Sequence, residues 1–153
     1  MSGWQVHDLM VAVGDLLDLP QVTELPDDDH WRLVTAGGDT VLVDYDRDTG
    51  LLYLATMLGR PHAEARLRIY EMLLLYNGAA RDTGGGRMLL EEPGGEAVLQ
   101  QETATAGLDA TALSAMLANL QEVAGLWRRL IAAPPGEARN GGTDLSHFGH
   151  IRG

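Results

Sequence analysis

The apolar positions of the chain change period several times along its length. From residue 4 to 18, Val6, Leu9, Met10, Val13, Leu16 and Leu17 share one face of a helix that is expected to stop near Pro20. Its outer face carries Trp4 and Val11 among Asp8, Asp15 and Asp18, which makes a candidate contact patch. After an acidic loop at residues 26–29 come three β-like runs, HWRLVTA, TVLVDYD and LLYLATML. Gly37-Gly38-Asp39 and Arg47-Asp48-Thr49-Gly50 supply the turns between them, so the runs predict an antiparallel meander. The third run, Leu51 to Leu58, is apolar on both pleat faces and is predicted to be the best buried strand.

Residues 61–76 predict a helix with two apolar faces, opened by Pro61 and closed by Asn77-Gly78 as a C-terminal cap. Ala63, Leu67, Tyr70 and Leu74 form one sector, suited to the chain's own sheet; Ala65, Ile69, Met72, Leu73 and Tyr76 lie almost opposite. The second sector predicts a subunit seam at Ile69, Met72, Leu73 and Tyr76, joined by Met88 and Leu90 of the following strand. The alternative is a helix covered on both sides within one domain. A hairpin of matched strands, RMLLEE and EAVLQQET, is predicted around Pro93-Gly94-Gly95. Asp109 is placed to cap a last helix whose stripe includes Leu113, Leu117, Leu120, Ala124, Trp127 and Ile131, with Ser114, Gln121 and Glu122 on the other side. The Pro- and Gly-rich stretch at residues 132–153 reads as a flexible tail behind one domain at residues 1–131.

Composition narrows the function. A chain of 153 residues with 45% apolar content supports one domain with a sizeable core. Its 22 acids against 11 bases, a formal charge of −11, oppose nucleic acid and anionic lipid as partners. With no cysteine there is no disulfide or thiolate zinc site, which permits a reducing compartment. The start, MSGWQVHDLM, has no basic leader followed by an apolar run, so a soluble, unexported protein is expected.

Candidate chemistry dissolves on inspection. Asp44, Asp46 and Asp48 imitate the start of a calcium loop, but the sixth position is Thr49 and the twelfth Ala55, where such a loop needs Gly and Glu. Gly84-Gly85-Gly86 leads into a strand and lacks the Gly-Lys-Ser/Thr ending of a phosphate cradle. His147 and His150 have no third ligand at helical spacing. No catalytic, cofactor-binding or metal-ligating residue is assigned, and an enzyme is not expected.

The Asn-Gly stop, the Gly-rich entry into a hairpin, the VLQQ strand and the Leu-Asp start of a last helix ending in Trp-Arg lie in LLLYNGAARDTGGGRMLLEEPGGEAVLQQETATAGLDATALSAMLANLQEVAGLWRRL. Together with the order of elements, they resemble the class I type III secretion chaperones, the family that includes the Tir-type chaperones, over residues 4 to 131. The resemblance implies an α+β fold in the order α-β-β-β-α-β-β-α, a twisted antiparallel sheet with three helices, in a homodimer. It implies a cytoplasmic bacterial protein, without cofactor or catalysis, that binds the N-terminal region of a secreted effector and keeps it soluble and secretion-competent. The same fold could instead sequester a secretion regulator or anti-activator. Trp4, Leu9, Val13, Leu17, Trp31, Leu33, Val41 and Val43 are the expected client-facing anchors, and the strand at Trp31 to Thr35 is the expected open edge that accepts an extended peptide.

Overall fold

A computed structural model describes residues 1–27, 29–79 and 81–136, with Trp4 described through its backbone alone. Ten elements follow in order: α1 (Gly3–Leu16), β1 (Gln21–Glu24), β2 (His30–Val34), β3 (Thr40–Asp46), β4 (Leu51–Gly59), a 3₁₀ turn (Ala63–Ala65), α2 (Arg66–Gly78), β5 (Arg87–Leu90), β6 (Ala97–Ala104) and α3 (Ala110–Ala132). The strands form one sheet in the order β1-β2-β3-β4-β6-β5, with antiparallel pairing along β1–β2–β3–β4 and in the β5–β6 hairpin. The expected α+β class with three helices is thus present, with one strand more than the pattern predicts. No helix among the described residues is long and apolar enough to cross a membrane.

The described residues divide into two compact units: residues 1–56 with 101–122, and residues 57–100 with 123–136. In the first, α1 buries Val6, Met10 and Val13, while alternation puts Trp31 and Leu33 of β2, and Val41, Val43 and Tyr45 of β3, into the core. Gly38 and Gly50 sit at φ 85 and 69 in the two turns of the meander, a backbone region that glycine enters without a Cβ penalty. Asp46 closes the second turn by accepting the amides of Asp48 and Thr49 at 2.9 and 3.3 Å. The hydroxyl and amide of Thr49 hold this carboxyl below its ordinary value. Asp44 lies 3.2 Å from His30 Nε2 across the β2–β3 pair, so two of the three calcium-like acids serve the meander.

Four local expectations need correction. The strand β1, QVTE, is too short and too polar to show a period, and it displaces β2 from the edge of the sheet. The hairpin strands are unequal, four residues in β5 against eight in β6, although the turn forms as expected with Gly94 at φ 74 and the Gly95 amide on the Glu92 carbonyl at 2.9 Å. Gly78 is the last residue of α2 rather than a left-handed cap, and Asn77 serves a different purpose, described below. Asp109 does cap α3, its Oδ1 accepting the Ala112 amide at 2.8 Å. Ser114, assigned to the outer side of α3, is buried. The tail assignment from residue 137 onward, with His147 and His150, lies outside the described residues.

Candidate functional site

The way α1 ends shapes the first unit's surface. Asp18 takes φ 53, and the Leu19 amide reaches back to the Gly14 carbonyl at 2.9 Å, the closing bond of a Schellman turn with aspartate in the seat that glycine usually takes. Pro20 then prevents the helix from resuming. The helix stops at Leu16, earlier than its apolar stripe suggests, and the chain turns straight into β1. Gly14 permits this close return: a Cβ there would stand 2.6 Å from Cγ2 of Val22.

Two grooves flank this turn, and Leu19 belongs to both. One, of about 170 Å³, is lined almost wholly by apolar groups of Leu17, Leu19, Leu33, Val41 and Leu117, with Gln121 beside them. Both polar atoms of the Gln121 side chain are buried without a hydrogen-bond partner among the described residues. The other, of about 410 Å³, runs between α1 and β1 over Trp31 and carries Met10, Val11 and Val22 together with acidic groups. His7 of α1 and Glu24 of β1 meet across its far end at 2.7 Å.

The adjoining sheet edge is open in a defined way. Leu25 donates its amide to the His30 carbonyl at 2.8 Å, and the alternation of an antiparallel ladder then turns the backbone groups of Thr23 toward β2 and those of Val22 and Glu24 away from the sheet. An unpaired row of this kind accepts an added strand.

Of the residues expected to face a client, Leu9, Val13, Trp31, Leu33, Val41 and Val43 are core residues whose side chains are covered by the chain itself. Leu17 is half-buried at a groove wall, and Trp31, Leu33 and Val41 form groove floors rather than exposed anchors. The side chain of Trp4 lies outside the described residues. Val11, expected on the outer face of the helix, is exposed, and so is Leu16, expected on the buried stripe. The grooves themselves have no sequence signal, because they join residues as far apart as Leu17 and Leu117.

In the second unit the two faces of α2 are the reverse of expectation. Ile69, Met72, Leu73 and Tyr76, the predicted seam, are buried, as is Met88 of β5. Tyr76 packs edge-on against Trp127, ring centres 5.7 Å apart at 87°. On the other face Tyr70 is half-buried, while Leu67 and Leu74, with Leu75 beside them, are 73%, 70% and 60% exposed. Leu90, alone among the predicted seam residues, is substantially exposed, beside Leu89 on β5. Both stripes have helical period, so the wheel identified two apolar faces without saying which one the chain covers.

Among the described residues no group of three or more His, Asp or Glu side chains is placed to hold a metal ion.

No curated protein sequence matches the chain. Its fold is similar to solved structures of low sequence identity. A chain of the ExsC-ExsE complex matches with TM-score 0.70 at 20% identity, covering 86% of this chain and 98% of that one. A chain of the HopA1-SchA chaperone-effector complex matches with TM-score 0.69 at 19% identity, covering 84% and 97%. The Yersinia pestis type III secretion chaperone SycH, solved with a fragment of YscM2, matches with TM-score 0.61 at 16% identity, covering 78% and 97%. Residues 14–128 match the Tir chaperone protein (CesT) family, and the chain belongs to that family of type III secretion chaperones.

Proposed function

We propose that this protein is a type III secretion chaperone that binds the N-terminal region of a secreted effector in extended form and keeps it soluble and ready for export. The observation that carries this is the open edge of β1, whose outward backbone groups belong to Val22 and Glu24, two residues of the larger groove, which shares Leu19 with the smaller one. Backbone pairing along the edge supplies register, and apolar side chains entering the grooves supply affinity. A few anchors must carry the binding, since an extended segment loses conformational entropy when it is ordered. The chaperone-effector pair HopA1-SchA, similar in fold, supports this direction.

The protein works as a homodimer, with Leu67, Leu74 and Leu75 of α2 and Leu89 and Leu90 of β5 supplying an apolar contact on each subunit. The surface charge keeps the complex in solution once the client's apolar segment is covered.

The test is capture of the client from the native cell, limited proteolysis of the complex, and hydrogen exchange on the chaperone. The protected client fragment is expected to be an N-terminal segment without fold of its own, with slowed exchange at Val22 and Glu24. A client retained as an intact folded domain, with β1 exchange unchanged, would overturn the proposal.

A further inference from the structure

The sheet order leaves two strands with a free side, β1 and β5, and their side chains rank the two edges in the wrong order for the function proposed above. β1 is QVTE, with one apolar residue, whereas β5 is RMLL, with Leu89 and Leu90 substantially exposed. An exposed apolar edge strand is the stronger template for strand addition, because an incoming segment gains side-chain contact as well as backbone pairing. By side-chain character alone, an extended client belongs on β5.

The backbone reverses that ranking. The Glu91 amide on the Glu96 carbonyl at 3.0 Å fixes the phase of the β5–β6 ladder, so Met88 and Leu90 are the residues of β5 whose backbone groups point outward. Both groups of Met88 are already taken: Asn77 donates from Nδ2 to the carbonyl at 3.0 Å and accepts the amide hydrogen at Oδ1 at 2.7 Å. Only Leu90 is left, its backbone without a hydrogen-bond partner among the described residues, and beyond it the chain enters the turn. On β1, by contrast, Val22 and Glu24 are both open. An added strand bonds to successive outward residues two apart; β1 offers two of them in a row and β5 does not.

We propose that Asn77 is an edge guard, a specificity-determining residue that closes β5 to strand addition and leaves β1 as the edge at which an extended client segment pairs. The inference rests on the peptide-binding function proposed above and names the residue that decides between the two edges. A carboxamide suits the task because it carries one donor group and one acceptor side by side, as a strand residue does, and ends there, offering nothing for a further strand to continue. The guard is firmly held. Its neighbour Tyr76 is buried edge-on against Trp127, so an incoming strand has to displace the end of α2 to reach Met88. In the proposed dimer the same closure confines β5 to contact through the side chains of Leu89 and Leu90.

The probe is a fluorescein-labelled peptide of alternating Val and Thr, titrated into the full-length protein well below its melting temperature, with stoichiometry read by anisotropy and pairing by amide hydrogen exchange. Without peptide, the Met88 amide of the natural protein is expected to exchange about tenfold or more slowly than that of Leu90. With peptide, one copy should bind per chain, slowing exchange at Val22 and Glu24 and leaving Leu90 unchanged. Asn77→Ala should take up a second peptide per chain, with new protection at Leu90; protection there without peptide, at doubled mass, shows the opened edge joining a second copy and equally upholds the guard. Asn77→Asp keeps an acceptor for the Met88 amide and sets a carboxylate against any incoming carbonyl, so it is destabilised yet should still bind one peptide, which separates opening of the edge from loosening of the fold. Equal exchange at Met88 and Leu90 in the natural protein, protection of its Leu90 by peptide, a single peptide at β1 of Asn77→Ala, or a second peptide on both variants alike overturns the guard and leaves binding at β1 standing. A peptide that protects Leu90 of Asn77→Ala and never protects Val22 or Glu24 upholds the guard and overturns the β1 edge. Binding to none of the three proteins overturns both.

Discussion

The side-chain amide of Asn77 pairs with both backbone groups of Met88, donating from Nδ2 to the carbonyl at 3.0 Å and accepting the amide hydrogen at Oδ1 at 2.7 Å. β5 is an end strand of the sheet, and its pairing with β6 turns the groups of Met88 outward. Asn77 therefore does for one residue what a neighbouring strand would do, and it ties α2 to the sheet edge. Only a carboxamide offers a donor and an acceptor in this arrangement. Asn77→Ala is expected to cost about 1–3 kcal/mol by leaving two backbone groups unpaired, lowering the melting temperature by several degrees. Asn77→Asp keeps an acceptor for the amide but sets a carboxylate against the carbonyl, so it should destabilise too. A calorimetric scan that finds either variant as stable as the parent removes the pair from the list of stabilising contacts.

In the proposed dimer, neighbouring leucines on α2 are expected to separate folding from assembly. Leu73 is 5% exposed and Leu74 is 70% exposed. Leu73→Glu places a carboxylate in the core and is expected to unfold the chain or cost about 3 kcal/mol or more. Leu74→Glu should leave the circular dichroism spectrum and melting temperature close to those of the parent while converting a dimer to a monomer. Sedimentation is the measurement. A folded Leu74→Glu variant with unchanged mass in solution would remove this face from the dimer.

Much of the architecture is legible in the sequence because each predicted element has its own local cause. Pro20 limits the first helix, glycines mark the meander turns, Pro93-Gly94-Gly95 closes a hairpin and Asp109 caps the last helix. What escapes the sequence is decided at a distance. QVTE becomes a strand because β2 offers it an edge, not because four residues hold a β signal. Asn77 looks like a helix stop until Met88 claims its side chain. The apolar stripes identify core positions well: Trp31, Leu33 and Val41, expected to face a client, are strong apolar signals and are buried, whereas the grooves beside them join residues far apart in the chain.

The approach of α1 to β1 is set by a missing side chain. A Cβ on Gly14 would lie 2.6 Å from Cγ2 of Val22, a separation that forces a shift of one element. Alanine in a helix interior normally adds about 1 kcal/mol over glycine, but overpacking a fitted contact costs about 1–3 kcal/mol. Gly14→Ala is therefore expected to be a net loss of up to about 2 kcal/mol. Adding Val22→Ala should reverse the sign, making the double variant more stable than Val22→Ala alone. Denaturant melts of the four proteins close this cycle, and additive effects would show that the two positions do not press on one another.

Alkaline pH probes the packing of Tyr76. Burial raises the pKa of its hydroxyl above the ordinary value of 10.0, and a hydrogen bond with Thr83 pulls only partly the other way. Above about pH 10, then, the unfolded chain has lost a proton that the folded chain still holds. With more protons bound in the native state, stability must fall as pH rises through that range, and it is untouched by this group below the unfolded value. No lysine adds to the background, because all 11 basic residues are arginine, and the chain's three other tyrosines are common to both proteins compared. Tyr76→Phe keeps the ring against Trp127 and removes the proton, so its stability should decline less between about pH 9 and 11 than that of the parent. Chemical denaturation across this range measures both slopes. Parallel slopes would mean that Tyr76 ionises as readily in the fold as outside it, and that its hydroxyl is not excluded from water.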